Sequence, residues 1–414
     1  MKTANLAKLL PLVIFFFTGK LVHGQLSSRI TGAYLNTIQT AVPFLTISPD
    51  SRASGMGDAG VASRADVNSQ HWNVAKYPFV QGRGGVSLSY TPWLRNLIPD
   101  ISLAYLSGYY KINAKSVVSS SFRFFSLGEI TFTTISGRPT GSYEPIEFAI
   151  DAGYSRLFTD HFSGGVVLRY IRSDLTSGQS TASGQSTHAG ISIAGDFGLY
   201  YQNEFQMGNQ EARWALGMNL SNLGTPISYT EDATKTPIPS NVRLGGRFEY
   251  GINNKHSISL LADLNKLLVP SPPVIDTDTA TGEYYVVRGK APPKSIIAGI
   301  FQSFNDAPGV QLSNGEYSVF KEELYEIAYS LGIEYNFRDL IALRSGYFHE
   351  HSTKGNRQYL TYGLGVMNPH FSLELSCLAP TNGQNSPLAN TFRITFTTTI
   401  GRTPMDSPLA HNIL

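Results

Sequence analysis

Residue types able to do covalent or metal chemistry are few in this chain and poorly spaced for it. Gly55-Met56-Gly57-Asp58-Ala59-Gly60 has the glycine density of a phosphate loop. It neither follows a clear strand nor carries the lysine and spacing of a P-loop. Its glycines answer better to close packing and backbone freedom. His349 and His351 lie two apart at a strand end, hence on one face, a weak metal geometry. No third ligand is evident where three or four are usual. A hydrolase needs a nucleophile, a base and an orienting group within reach of one another, and Asp339 with these histidines and the loop serines has no such spacing. Cys377, the single cysteine, cannot form an internal disulfide and sits in no nucleophile motif. No catalytic, cofactor-binding or metal-binding residue is assigned, and no enzyme is expected.

The segment Thr91-Pro92-Trp93-Leu94-Arg95-Asn96-Leu97-Ile98-Pro99 carries more information. It joins two strands and is unusually apolar for a connection. Exposed apolar clusters mark interaction sites, and Trp with Arg is typical of binding hot spots. Trp93, Leu94, Arg95 and Leu97 are therefore candidate partner-binding residues. The alternative is that the segment folds back into the protein or dips into lipid.

The elements that hold such loops alternate with period two. Ile327, Tyr329, Leu331, Ile333, Tyr335 and Phe337 share one face, opposite Ala328, Ser330, Gly332, Glu334 and Asn336. Eleven residues of strict alternation predict a strand with one apolar and one polar or small face, at the length of a tilted membrane strand. The pattern recurs with Ile146, Phe148, Ile150 and Tyr154 against Glu147, Asp151 and Ser155. It returns around Val166–Ile171, Ile191–Tyr201, Val242–Tyr250 (against Arg243, Arg247 and Glu249) and Phe392–Ile400. Short turns at Thr159–His161, Gly251–His256, Arg338–Asp339 and Pro369–His370 trade with long polar connections, as in bacterial barrels. The expectation is an all-β, transmembrane antiparallel barrel with an even strand number, fourteen to sixteen. Parity fails between Leu268 and Ser295 unless an extra strand forms near Glu283–Arg288.

Composition agrees. Charged residues make up 15 %, against about 25 % in ordinary soluble proteins, beside 39 glycines, 22 tyrosines and 23 phenylalanines. The N-terminus reads as a signal peptide over residues 1–24. Lys2 and Lys8 precede the apolar run Leu9–Phe17, and Val22 and Gly24 fit −3 and −1 of a cleavage site. A membrane anchor is the alternative. Losing Lys2, Lys8 and Lys20 takes the formal charge from +2 to −1, and no basic stripe points to nucleic acid. Beyond the signal, residues 25–82 are expected to be a plug or hatch segment, or else a plain extension. A barrel over 83–401 and a tail over 402–414 follow.

Several stretches, in order along the chain, resemble the PorV (LptO) family of the type IX secretion system. They include Ser51-Arg52-Ala53-Ser54-Gly55-Met56-Gly57-Asp58-Ala59-Gly60, Trp72-Asn73, Tyr90-Thr91-Pro92-Trp93-Leu94 and Phe125-Ser126-Leu127-Gly128-Glu129-Ile130. Arg169-Tyr170-Ile171-Arg172-Ser173-Asp174 and Asp263-Leu264-Asn265-Lys266-Leu267-Leu268 continue the series. Ser303-Phe304-Asn305-Asp306-Ala307-Pro308-Gly309, Lys321-Glu322-Glu323-Leu324, Lys354-Gly355-Asn356-Arg357 and Pro387-Leu388-Ala389-Asn390-Thr391 complete it. Two departures stand out: Val310–Phe320 looks like an insertion, and Gly401–Leu414 follows the last strand.

The resemblance implies a FadL-like barrel of fourteen strands in the outer membrane of a Gram-negative bacterium, without enzymatic activity. It implies that the chain binds the C-terminal signal domain of secreted cargo at the translocon SprA. It further implies carriage to the sortase PorU, which attaches the cargo to lipopolysaccharide. On this resemblance the first loop meets the translocon, and Asp306, Pro308, Gly309, Lys354 and Arg357 lie on cargo or sortase surfaces. Fold alone leaves a FadL-type transporter of hydrophobic small molecules as the rival. An apolar lumen leading to a wall gap would favour transport. A sealed, charged lumen would favour the shuttle.

Overall fold

The computed structural model describes residues 36–401, apart from 96, 97, 99, 134, 135, 179–184, 232–234, 280, 294, 383–385 and 390. The expected signal peptide over 1–24, the expected tail over 402–414 and Leu97 therefore lie outside the described residues.

Fourteen antiparallel strands close into a single barrel. In chain order they are β1 Gly84–Pro92, β2 Ser102–Lys111, β3 Ser116–Ser126, β4 Ile146–Thr159 and β5 Phe162–Asp174. Next come β6 Gly190–Met207, β7 Gln210–Gly224, β8 Asn241–Asn253, β9 His256–Leu267 and β10 Ile327–Phe337. The last are β11 Ile341–His349, β12 Gln358–Met367, β13 Phe371–Pro380 and β14 Phe392–Ile400. Each pairs with its sequence neighbour, and β14 returns to β1 from Gly84↔Ile400 to Tyr90↔Ile394. Among the described residues no helix is long and apolar enough to cross a membrane. Closure satisfies the backbone of a spanning β structure, because no edge remains.

The alternation is inverted relative to a water-soluble sheet. Val86, Leu88 and Tyr90 of β1 point out and are exposed, while Ser87, Ser89 and Thr91 point in and are buried. Outward Ile150, Leu168 and Ile193 oppose inward Asp151, Arg169 and Ser192 in the same way. Aromatics gather toward both rims: Tyr201 stands 5.0 Å from Trp214 at one, and Phe148 stands 6.2 Å from Tyr170 toward the other. An apolar belt between aromatic girdles is the surface that lipid requires.

Turns at one rim are short, down to the two residues 160–161, 208–209 and 254–255; connections at the other are long. By the usual asymmetry the short turns face the periplasm and the long loops face outward. The parity problem has a different solution from the extra strand. Residues 268–326 form one outer loop, in which Tyr284–Arg288 pairs with Val274–Thr277 as a hairpin outside the barrel wall. Ile296–Gln302 in that loop is a short α-helix. The strand count is fourteen.

A fourteen-stranded ring is too wide for wall side chains alone to fill, since about eight strands suffice for that. Residues from Asn36 to Val80 occupy the interior. Short turns at Pro43–Thr46, Ser51–Ser54, Ser69–Trp72 and Val74–Phe79 carry the chain. Wall glycines let it approach: a Cβ on Gly217 would lie 2.3 Å from the Val61 carbonyl oxygen. Gly57 itself has φ +68°, and a Cβ there would meet the Tyr347 backbone at 2.6 Å. The glycines of Gly55–Gly60 thus serve close packing.

Candidate functional site

Two regions could carry function: the lumen and the outer mouth. In the lumen, charges projected inward by the strands meet charges on the plug. Arg52 of the plug holds Glu334 of β10 with two hydrogen bonds, at 3.1 and 3.0 Å, and Asp66 at 3.0 Å. Arg344 of β11 approaches the same Glu334 at 2.7 Å and Glu374 of β13 at 3.2 Å. Arg64 pairs with Glu249 and, at 3.2 Å, with Asp339. On the opposite wall Arg169 lies between Asp151 at 2.7 Å and Asp196 at 3.0 Å. A bulge makes that last site: Ser221 and Asn222 together oppose Asp196, and the left-handed Asn222 donates its N–H to it at 2.7 Å.

The plug is also held through its backbone. Asp263 of β9 accepts from the N–H groups of Gly60 at 2.7 Å and Val61 at 2.9 Å. Lys76 donates to the Gly60 carbonyl at 2.8 Å, and Trp72 donates from its indole to Asp50 at 2.5 Å. Below the plug, on the short-turn side, lies a vestibule of about 780 Å³ lined by Arg52, Arg64, Asp66, Glu334, Arg344 and Glu374, among others. Charges that partner one another over such a volume suit water and reject hydrocarbon.

At the outer end the plug turns apolar. Val42, Phe44 and Leu45 pack against Leu103, Phe125, Ile171, Ile227 and Ile238. Phe44 stacks on Phe125 with centroids 6.0 Å apart. Trp93 and Leu94 pack against this same cluster and are half-buried, with Trp93 beneath the Arg393 guanidinium at 5.7 Å. Leu94 has φ +50°, and Arg95 and Ile98 are exposed. The segment therefore folds Trp93 and Leu94 inward and presents Arg95 and Ile98 outward.

The remaining candidates gather around a buried ion network. Lys354 pairs with Glu322 at 2.6 Å and Glu326 at 2.9 Å. Lys266, at the outer end of β9, pairs with Glu326 at 2.6 Å and Glu323 at 3.0 Å. Glu323 also accepts from the N–H groups of Asp306 at 2.9 Å and Ala307 at 3.1 Å. Asn36 of the plug donates to Glu322 at 3.0 Å. Asp306 and Pro308 are buried, Gly309 is half-buried at φ +91°, and Arg357 pairs with Glu350 at 2.8 Å while staying partly exposed.

Burial pushes the Asp306 carboxyl up to about 6; the Ser271 N–H opposes this, while Glu323 and Glu326 add to it. Burial also works to raise Glu326, but Lys266 and Lys354 outweigh it and hold that carboxylate below its ordinary value. Asp306, Pro308 and Lys354 thus brace the outer loops, and Arg357 reaches the surface. Lys266 and Glu326 were not picked out as site residues from sequence. A lysine at an inward position at a strand end was the available signal.

The other chemical candidates have structural neighbours. His351 stacks on Tyr325 at 3.5 Å, and His349 stacks on Tyr329 at 4.7 Å. Cys377 lies on the exposed face of β13.

A closed barrel, apolar outside and polar inside, is an outer-membrane protein of the Gram-negative type. The family model for the type IX secretion system protein PorV matches residues 31–274. The chain belongs to that family. It is accordingly an outer-membrane component of type IX secretion. The matched span covers the described plug and strands β1 to β9. The similar stretches from Ser303 onward lie beyond it. No curated protein matches the chain. Among solved structures, the Ralstonia pickettii toluene transporter TbuX is 11 % identical, with a TM-score of 0.44, over 85 % of this chain and 98 % of that one. The Pseudomonas putida toluene transporter TodX is 12 % identical, with a TM-score of 0.43, over 88 % and 98 %. A Pseudomonas aeruginosa FadL homologue is 11 % identical, with a TM-score of 0.39, over 88 % and 99 %.

Proposed function

We propose that this protein receives the C-terminal signal domain of secreted cargo at the translocon SprA and carries it to the sortase PorU for attachment to lipopolysaccharide. It makes and breaks no covalent bond itself. The observation that carries this reading is the occupied lumen. The plug is tied to the neighbouring strands β10 and β9 by Arg52–Glu334 and by Asp263 to Gly60 and Val61, and across the ring to β3 by Arg123, which donates to the Leu45 carbonyl at 2.7 Å. Strand pairing continues around the ring to the β1–β14 seam. A lumen filled by the plug and crossed by paired charges disfavours passage of hydrophobic small molecules. Work is then left to the outer surface. Arg95 and Ile98 of the first loop are exposed and Arg357 is partly so; Trp93 and Leu94 set the loop's shape from within. A hand-over needs a transient interface, and such interfaces often bury under about 1,200 Å².

Affinity purification of the tagged protein from mild detergent, with identification of what accompanies it, tests the reading. Recovery of the translocon, the sortase or proteins sharing a C-terminal signal domain is expected. Arg95→Glu should lower translocon recovery while leaving the barrel folded; Trp93→Ala should lower it by loosening the loop. A barrel recovered alone with a bound fatty acid or other hydrophobic molecule would instead make it a transporter.

A further inference from the structure

The outer loop 268–326 contains two short helices whose polarity is the reverse of what water selects. In Val319–Tyr325, Glu322 and Glu323 are buried against the barrel rim, while Phe320 is 74 % exposed and Leu324 49 % exposed. Those two lie four residues apart and so share one face. In Ile296–Gln302, Gly299 is the buried residue, with Pro270 against it, while Ile297 is 68 % and Phe301 74 % exposed. Successive residues turn by about 100°, which sets Ile297 and Phe301 nearly opposite Gly299. A helix in water hides its apolar stripe and shows its carboxylates. The second does the opposite, as the barrel strands do, and the first, which has no carboxylate, turns its large apolar side chains outward.

We infer that the two helices form a collar seated in the outer leaflet, with Ile297, Phe301, Phe320 and Leu324 among the lipid chains. Lipid is favoured as the occupant by continuity with the lipid-facing wall. One residue, Glu326, separates the second helix from β10. At about 1.5 Å per helical residue, Phe320 is roughly 10 Å from the strand end, within the boundary that interfacial helices occupy. The first helix rests on Pro270, just past the end of β9. Lys321, exposed beside Phe320, is placed to meet anionic headgroups. Buried Lys266 and Lys354 fix the carboxylate side of the collar to the rim.

Spin-label accessibility tests this on the whole protein in phospholipid bilayers, without partners. Cys377→Ser supplies a cysteine-free background, and labels go on Phe301→Cys, Phe320→Cys, the wall position Leu331→Cys and the loop position Asn314→Cys. Labels at 301 and 320 are expected to meet oxygen and exclude a water-soluble nickel complex. Their accessibility ratio should approach that at 331 and stand several-fold above that at 314. A ratio matching 314 would overturn the inference and turn this face over to a protein partner. Should the cysteine variants fail to assemble, Phe301→Trp in bilayers of dibrominated phospholipid gives the same answer. Added fluorescence quenched by bromine supports the collar, and added fluorescence that bromine leaves untouched refutes it.

Discussion

Glu334 is the carboxylate on which two arginines of different origin converge, Arg52 from the plug and Arg344 from the neighbouring strand. All three side chains are largely shielded. Removing one member of a buried ion network leaves the others charged and unsatisfied, which costs about 3–5 kcal/mol, whereas the intact network is worth much less against an apolar isostere. Glu334→Gln is therefore expected to destabilise the folded protein by that order, measured by denaturant unfolding in detergent. Loss of under about 1 kcal/mol would mean that water reaches the arginines from the vestibule. Glu334 was legible as an inward charge from its place in the alternating run Ile327–Phe337. Its partner was not: Arg52 lies 282 residues away in sequence and outside any periodic segment.

The outer loop is the element in which charge and packing depend on pH. Asp306 has a folded pKa raised from 3.8 to about 6, so its ionised form weakens the folded loop above that pH. Its protonation restores stability as pH falls through about 6, fully so below 3.8. Glu326 behaves oppositely. Its folded pKa lies below the ordinary 4.5, so its pairing is present above that value and is lost as pH falls through the lower one. Asp306→Asn should thus stabilise the protein at pH 7.5 by about 1 kcal/mol, after screening near the surface, and by about half that at pH 5. Thermal unfolding of both proteins at the two pH values measures this; an equal difference at both would place Asp306 in open water. This loop was the least legible element. Period two identifies strands because both barrel faces enforce it, but an inside-out helix such as Ile296–Gln302 offers an apolar run without length or alternation. Its sequence traces were the missing parity at Leu268–Ser295 and the insertion-like stretch Val310–Phe320.

At the scale of the whole molecule, the plug decides what the barrel can pass. A ring of this size without a filling segment would leave an aqueous channel, as the 16–18-stranded porins do. The plug is admitted by backbone-to-backbone contact at positions such as Gly217 and Gly57. Gly217→Leu adds a side chain where even a Cβ would lie 2.3 Å from the Val61 carbonyl oxygen. Backbone cannot yield there as a flexible side chain does, so the strain falls on the plug, by about 1–3 kcal/mol for such overpacking. The closed wall has ladders on both sides of β7 to resist it. The expected outcome is a barrel that assembles normally, by its heat-dependent gel mobility, yet conducts ions across planar bilayers in which the parent is silent. Steady conductance by the parent itself would contradict the occupied lumen and return the argument to transport. Silence of both proteins would mean that the plug holds its place through Asp263 and Arg52 despite the displaced turn, and Asp263→Ala combined with Gly217→Leu would then have to open the channel.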